Sequence, residues 1–247
     1  MLRVRDLSLR YPTGKVALTD FSLSVEPGEL VVVLGGNGSG KTTLLRCITR
    51  TLKPTAGEVW LGDTDLCALE GEKLRRARLE LAMVWQSASL VRRSSVLTNV
   101  ATGALGRHST LRTVFAGLPP AELASARGHL AEVGLADLAE QRAGTLSGGQ
   151  AQRVAIARAL AQRPRVLLAD EPVASLDPEA AEEIMRLLQR LARSERLAVL
   201  CVLHQVELAY AYADRVLGIR DGRIAFDLPR SQVSREEVHR LYIHEAA

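Results

Sequence analysis

The chain has few aromatic residues, few cysteines and no long apolar run. Phe, Trp and Tyr make up 4% of its 247 residues, too few for the stacking platforms on which single-stranded nucleic acids lie. Its three cysteines, Cys47, Cys67 and Cys201, form no C-x-x-C pair and are odd in number. That argues against a closed disulfide framework and fits a reducing compartment. Cys201 sits in an apolar run and reads as a small buried hydrophobe. The longest apolar runs, such as Leu197 to Leu203, reach about seven residues, against the roughly 20 needed to cross a bilayer. Met1 to Asp6 alternates like a strand and carries an acid where a secretory signal needs an apolar region. The charge balance is mild, 32 basic against 28 acidic residues for a net +4. The basic residues are spread over helix faces, as in Glu72 to Arg78 and Arg186 to Arg196, which reads as solvated surface rather than a nucleic-acid stripe. The expectation is a soluble protein that binds no nucleic acid. If it serves a membrane, it takes the membrane part from another chain.

What the chain does have is enough apolar material, 47% of residues, for one substantial core and a single domain over residues 1–247. Residues 1–34 read as strands punctuated by Pro12-Thr13-Gly14 and Pro27-Gly28, and Gly57 to Leu61 adds another. From the Gln86 region to Leu160 the pattern is helical, interrupted from Gly103 to Pro120. Val166 to Ala169 and Ala198 to Leu203 read as buried strands. Between them a helix from Pro178 to about Arg193 places Ile184, Leu187, Leu188 and Leu191 on one face. Asp221-Gly222 is a two-residue hairpin signal, and the tail from Ser231 reads as one helix. The sum is a mixed α/β core with a helical insertion.

Two short runs carry the chemistry. Gly35-Gly36-Asn37-Gly38-Ser39-Gly40-Lys41-Thr42 has the form G-x-x-x-x-G-K-[ST] and lies between the apolar run Leu30 to Leu34 and a helical pattern from Thr42 to Thr49. In that context successive backbone N–H groups and the positive end of the helix converge on phosphate oxygens. The second run is Leu146-Ser147-Gly148-Gly149-Gln150. Ser147 reads as a helix N-cap, and two glycines leave backbone N–H groups uncovered at a positive helix end, a second anion-binding surface. Val166 to Asp170, then Glu171, is a hydrophobic strand ending in two acids, placed where α/β sheets bind ligands.

Together these runs are similar to the phosphate loop, signature and acidic strand end of the ATP-binding cassette ATPases, in the right order along nearly the whole chain. The resemblance implies a P-loop NTPase core, approximately 1–86 and 161–230, with an N-terminal antiparallel β subdomain. It also implies an inserted helical subdomain over 87–160 and a C-terminal helix over 231–247. It implies ATP held by the loop and Thr43, with Lys41 neutralising phosphate oxygens and Tyr11 stacking on adenine. Mg²⁺ is then held by Thr42, Asp170 and Gln86, while Glu171 polarises the attacking water and His204 contacts the terminal phosphate. Ser175-Leu176-Asp177 matches a loop that communicates between two nucleotide sites. In the family two subunits sandwich two ATP molecules, so Ser147, Gly148, Gly149 and Gln150 serve the site of a second copy.

The further partners implied are integral membrane permease subunits and an extracytoplasmic substrate-binding protein, with this chain at the cytoplasmic face of the inner membrane. Ser95 to Val100, Gly103 to Arg107 with the extra Thr110 to Pro119 segment, Val173-Ala174-Ser175 and His204-Gln205-Val206 resemble the phosphonate importers. The cargo implied is a phosphonate, phosphite or phosphate. An importer of another small solute, or an exporter or lipoprotein-release ATPase, is the alternative. DNA-repair cassettes separate the two runs by long coiled coils or zinc-bearing insertions, and no sustained heptads or Cys clusters lie between them here. Gly36 departs from the Pro, Ala or Ser common at its position, and Arg92-Arg93-Ser94 departs from the Pro-rich stretch often found there.

Overall fold

The computed structural model describes residues 1–108 and 117–242. Alternating apolar residues build β1 (Leu2–Arg10) and β2 (Val16–Val25), whose inward side chains are buried and outward ones exposed. The chain then enters β3 (Leu30–Leu34), buried at every position, as a strand covered on both faces must be. Next come α1 (Lys41–Ile48), β4 (Ala56–Leu61), β5 (Thr64–Asp65), α2 (Gly71–Ala77) and β6 (Leu81–Val84). A helical stretch follows, with α3 (Val96–Ala101), α4 (Pro120–Glu132) and α5 (Gly148–Ala161). The chain returns through β7 (Val166–Asp170), α6 (Pro178–Ser194), β8 (Ala198–Val202), α7 (Val206–Tyr212), β9 (Arg215–Arg220), β10 (Arg223–Pro229) and α8 (Arg235–Arg240).

Among the described residues the strands form two sheets. One is antiparallel in the order β2-β1-β4-β5; the other runs β10-β9-β3-β8-β7-β6. In the second, β9, β3, β8, β7 and β6 are parallel and β10 is antiparallel to β9. The phosphate-loop strand β3 therefore sits centrally, and its C-terminal edge is the same edge at which β7 ends in Asp170.

Successive residues of the central strands face different cores. Leu30, Val32 and Leu34 pack with the helices α3 to α6, whereas Val31 and Val33 pack with the antiparallel sheet and α1. The same alternation divides Leu167 and Ala169 from Val166 and Leu168. The expected face of α6 is buried at Ile184, Leu187, Leu188 and Leu191. Leu188 is fully buried, so Leu188→Ala would cost about 2–5 kcal/mol.

Asp221-Gly222 joins β9 to β10 with φ of 49° and 74°, the left-handed pair that a tight hairpin turn requires. The C-terminal expectation needs correction. Arg230–Gln232 forms a 3₁₀ turn, and Ser234 then starts α8 at Arg235 through a capping box with Glu237. Among the described residues of 231–242 the α-helix therefore occupies 235–240, and positions 243–247 of the expected helix lie outside the described residues. The Gly103 to Pro120 interruption begins as a 3₁₀ stretch over Thr102–Arg107; positions 110–116 of the Thr110 to Pro119 segment lie outside the described residues.

Candidate functional site

The phosphate loop gets its shape from glycines in places no side chain fits. Gly40, the N-cap of α1, has φ 111°, and a Cβ there would meet the Ala17 carbonyl oxygen at 2.7 Å. A Cβ on Gly35 would overlap the Ile219 carbonyl and approach Ser39 Oγ to 2.8 Å. The neighbouring strands thus press the loop into a cradle at the start of α1. The cradle opens into a pocket of about 240 Å³ bordered by Tyr11, Asn37, Gly38, Lys41, Thr42 and Glu171, with Lys15 at its rim. Tyr11 and Thr43 share a hydrogen bond of 3.1 Å between their hydroxyls, which fixes the ring at the pocket edge.

Lys41 is buried, and its Nζ donates to the Gly35 and Gly36 carbonyls at 2.7 and 2.9 Å. Burial pushes its pKa down, while the charges of Glu171 and Asp170 act against that shift. The ammonium is thus centred under the loop whose phosphates it was expected to neutralise.

Asp170 closes β7, and its Oδ1 is buried without a hydrogen-bond partner. Burial raises the carboxyl pKa, as does Glu171; Arg46, Lys41 and a hydrogen bond with the Thr42 side chain oppose it. A buried carboxylate bonded to Thr42, with its other oxygen orphaned, suits an oxygen-seeking divalent cation. Glu171, next in sequence, has φ 50°, in the left-handed region that a non-glycine residue seldom enters. Its N–H is tied to the Val202 carbonyl at 3.1 Å, and its Oε1 lies 2.6 Å from His204 Nε2. The pairing of β7 with β8 brings these two residues together from opposite ends of an intervening helix.

The signature run lies elsewhere on the surface. Ser147 Oγ accepts from the Gln150 N–H at 3.2 Å, and the Gln150 side chain accepts from the Ser147 N–H at 3.0 Å. This reciprocal box anchors the start of α5. Gly148 and Gly149 lie against Leu176 and Ala180, where a Cβ would come to 3.1 Å of each. No residue of 146–150 borders the phosphate-loop pocket. Asp177 is absent from that pocket too; its carboxylate caps α6 by accepting from the Ala180 N–H at 2.9 Å.

Gln86 also stands apart from the loop. It is exposed and lines an open cleft of about 530 Å³ with Leu90, Arg92, Leu146, Gly148 and Leu176. The structure therefore brings Tyr11, Gly38, Lys41, Thr42, Asp170, Glu171 and His204 to one edge of the sheet, and gathers Gln86 with the signature and the Ser175-Leu176 loop on another.

Gln152 and Arg158, on α5, which no motif singles out, bond to the backbone around Gln86. The available signal was two long polar side chains set among Val154, Ala155, Ile156, Ala157 and Ala159, all buried.

Comparison with known proteins identifies the family. A family model described as ABC transporter matches residues 18–174. The phosphonates import ATP-binding protein PhnC of Wolinella succinogenes is 44% identical over 99% of this chain and 89% of its own length. Its namesake from Frankia casuarinae is 52% identical over 86% of this chain and 84% of its own. Among solved structures, the cbiO1 protein of Clostridium perfringens, part of the ABC transporter complex cbiONQ, has a TM-score of 0.84 at 30% identity. It covers 97% of this chain and 92% of its own. A dimeric ATP-binding cassette in a post-hydrolysis state with ADP and Pi has a TM-score of 0.80 at 31% identity, covering 93% and 99%. Phosphate loop, acidic strand end and capped signature helix, set on this sheet, place the chain in the ABC transporter family as an ATP-binding, ATP-hydrolysing cassette.

Proposed function

We propose that this cassette is the ATP-hydrolysing subunit of a bacterial importer for phosphonates or a related phosphorus oxyanion, phosphite or phosphate. The observation that carries the hydrolytic part is the Glu171–His204 pair, 2.6 Å apart beside a pocket floored by Lys41. Backbone N–H groups of Gly38 to Thr42 and the Thr43 side chain hold the phosphates, and Tyr11 stacks on the base. Lys41 balances phosphate charge. Glu171 accepts a proton from the attacking water, and His204 fixes the Glu171 carboxylate and meets the terminal phosphate. Thr42 and Asp170, with Gln86 drawn in, would hold Mg²⁺, which supplies charge neutralisation for the phosphate oxygens.

A second copy completes each nucleotide site in this reading, because no residue at the capped end of α5 borders the chain's own phosphate-loop pocket. The cleft beside Gln86 receives a cytoplasmic helix of a permease subunit. Arg92 lines that cleft, and exposed Trp85 and Val91 and Arg93 adjoin its lining residues in sequence. No helix among the described residues is long and apolar enough to cross a membrane, so the permease supplies the membrane path and an extracytoplasmic binding protein selects the cargo. The chain then works at the cytoplasmic face of the inner membrane.

The cargo assignment is supported by the phosphonate-import names of relatives that align over nearly all of this chain. A strain lacking this protein should fail to grow on an alkylphosphonate or phosphite as sole phosphorus source, yet grow on abundant phosphate. Normal growth and uptake on all these sources, with no redundant importer present, would remove the cargo assignment and leave the ATPase.

A further inference from the structure

The segment that carries Gln86 is held by side chains rather than by its own backbone. Among the described residues, no backbone–backbone hydrogen bond outside regular elements involves residues 86–90, and Ser89 has φ 47°, a left-handed conformation that costs of order 1 kcal/mol for a serine. Three contacts from α5 hold it in place. Gln152 Nε2 donates to the Trp85 carbonyl at 3.0 Å. Arg158 donates through its two terminal nitrogens to the Ala88 carbonyl at 2.8 Å and the Ser89 carbonyl at 2.9 Å. Gln152 is 3% exposed.

The two arginines of α5 differ in a telling way. Arg153 pairs with Glu183 at 3.5 Å, as a surface arginine commonly does. Among the described residues Arg158 makes no carboxylate pair, although burial lowers its pKa; its partly desolvated charge is met by two carbonyl dipoles. Keeping an unpaired cation half-buried is costly, and a planar fork that spans two carbonyls is a geometry lysine cannot reproduce.

We propose that Arg158, assisted by Gln152, is a positioning residue that tethers the Gln86 segment to the signature helix, so that the two move as one body during the ATP cycle. The tether links one end of α5, which offers Ser147 and the glycine N–H groups, to the chain that borders the 530 Å³ cleft. It acts through Gln86 and the signature and touches neither nucleotide nor permease. This inference rests on the proposed role of Gln86, and its test can be read separately.

The chain has two tryptophans, and one of them, Trp85, is 40% exposed and accepts the Gln152 bond. In the full-length Trp60→Phe protein, acrylamide quenching of Trp85 and steady-state ATPase are measured with and without saturating Mg-ATP. Arg158→Met should raise the resting quenching constant of Trp85 at least twofold and abolish its response to Mg-ATP. It should lower kcat about tenfold, equivalent to about 1.4 kcal/mol, and leave KM for ATP within twofold. Arg158→Lys should recover part of both readings, and Gln152→Met should shift them in the same direction by less. A merely structural role would lower the melting temperature without changing Trp85 quenching in the folded protein. Wild-type quenching and kcat in Arg158→Met overturn the tether, and so does a lower kcat with unaltered Trp85 quenching. If Arg158→Met does not fold, Arg158→Lys and Gln152→Met decide by the same two readings. A parent protein without ATP turnover would instead refute the proposed function, while Trp85 quenching would still report on the tether.

Discussion

Replacing Glu171 by Gln separates nucleotide binding from turnover more cleanly than any other change in this chain. The amide has the same length and takes the same strained backbone, φ 50°, so that cost is common to both proteins. His204 Nε2, 2.6 Å away, can still donate to the amide oxygen; what disappears is the carboxylate. A general base contributes about 10²–10⁴-fold to a rate, equivalent to about 2.7–5.4 kcal/mol of barrier, and turnover should fall by that factor. Binding should change little, because the cradle consists of backbone N–H groups and Lys41 rather than Glu171. Stability loses at most one charge-assisted hydrogen bond of a partly exposed side chain, about 1–2 kcal/mol, or a few degrees of melting temperature in a chain this size. Phosphate release under saturating ATP, together with equilibrium binding of a fluorescent ATP analogue, measures both quantities. Turnover within tenfold of the parent, with binding intact, would refute the assignment of Glu171 as the group that polarises water.

Three further outcomes follow from the same geometry. Lys41→Ala should weaken ATP binding about 10–100-fold, the loss of charge-assisted hydrogen bonds worth about 1.5–3 kcal/mol; equal affinity in both proteins would reject the phosphate-loop assignment. Glu171→Gln with ATP should sediment as a dimer, and adding Ser147→Arg should return it to monomer by placing a long cation over the capped end of α5. A dimer indifferent to both ATP and that substitution speaks against the sandwich. Charge reversal at Arg92 and Arg93 should lower transport or complex yield more than basal ATPase, whereas loss of basal ATPase with the complex intact would assign those residues to catalysis.

The sequence was most informative where chemistry and local geometry coincide. The G-x-x-x-x-G-K-T loop had to follow a buried strand and open a helix, and it does so between β3 and α1. Ser147 could be identified as a cap because a hydroxyl followed three residues later by Gln is a local pattern. Other features are set by contacts between distant segments, which periodicity does not encode. Arg107 and His108 both reach Glu122, at 2.6 and 3.0 Å; although burial pushes the Glu122 carboxyl up, the hydrogen bond with His108 and the charge of Arg107 hold it below its usual range. Read singly, the three are ordinary charged or polar residues. Arg158 was unreadable for the same reason: its partners are main-chain oxygens some 70 positions earlier, and a carbonyl leaves no mark in a sequence. The tail failed differently. A helical pattern from Ser231 was plausible, but Pro229 sets a 3₁₀ turn and the Ser234 box restarts the helix later.

The alternation along β3 has a consequence for how the molecule loosens. Odd and even residues of this one strand are rooted in two different cores, so neither core can open while the strand stays paired, and the strand cannot be freed unless both give way. Its amides should therefore exchange with solvent only through global unfolding, far more slowly than those of α8 or the Gln86 segment. The phosphate loop, which hangs from the end of that strand, is thus mounted on the part of the chain last to be released.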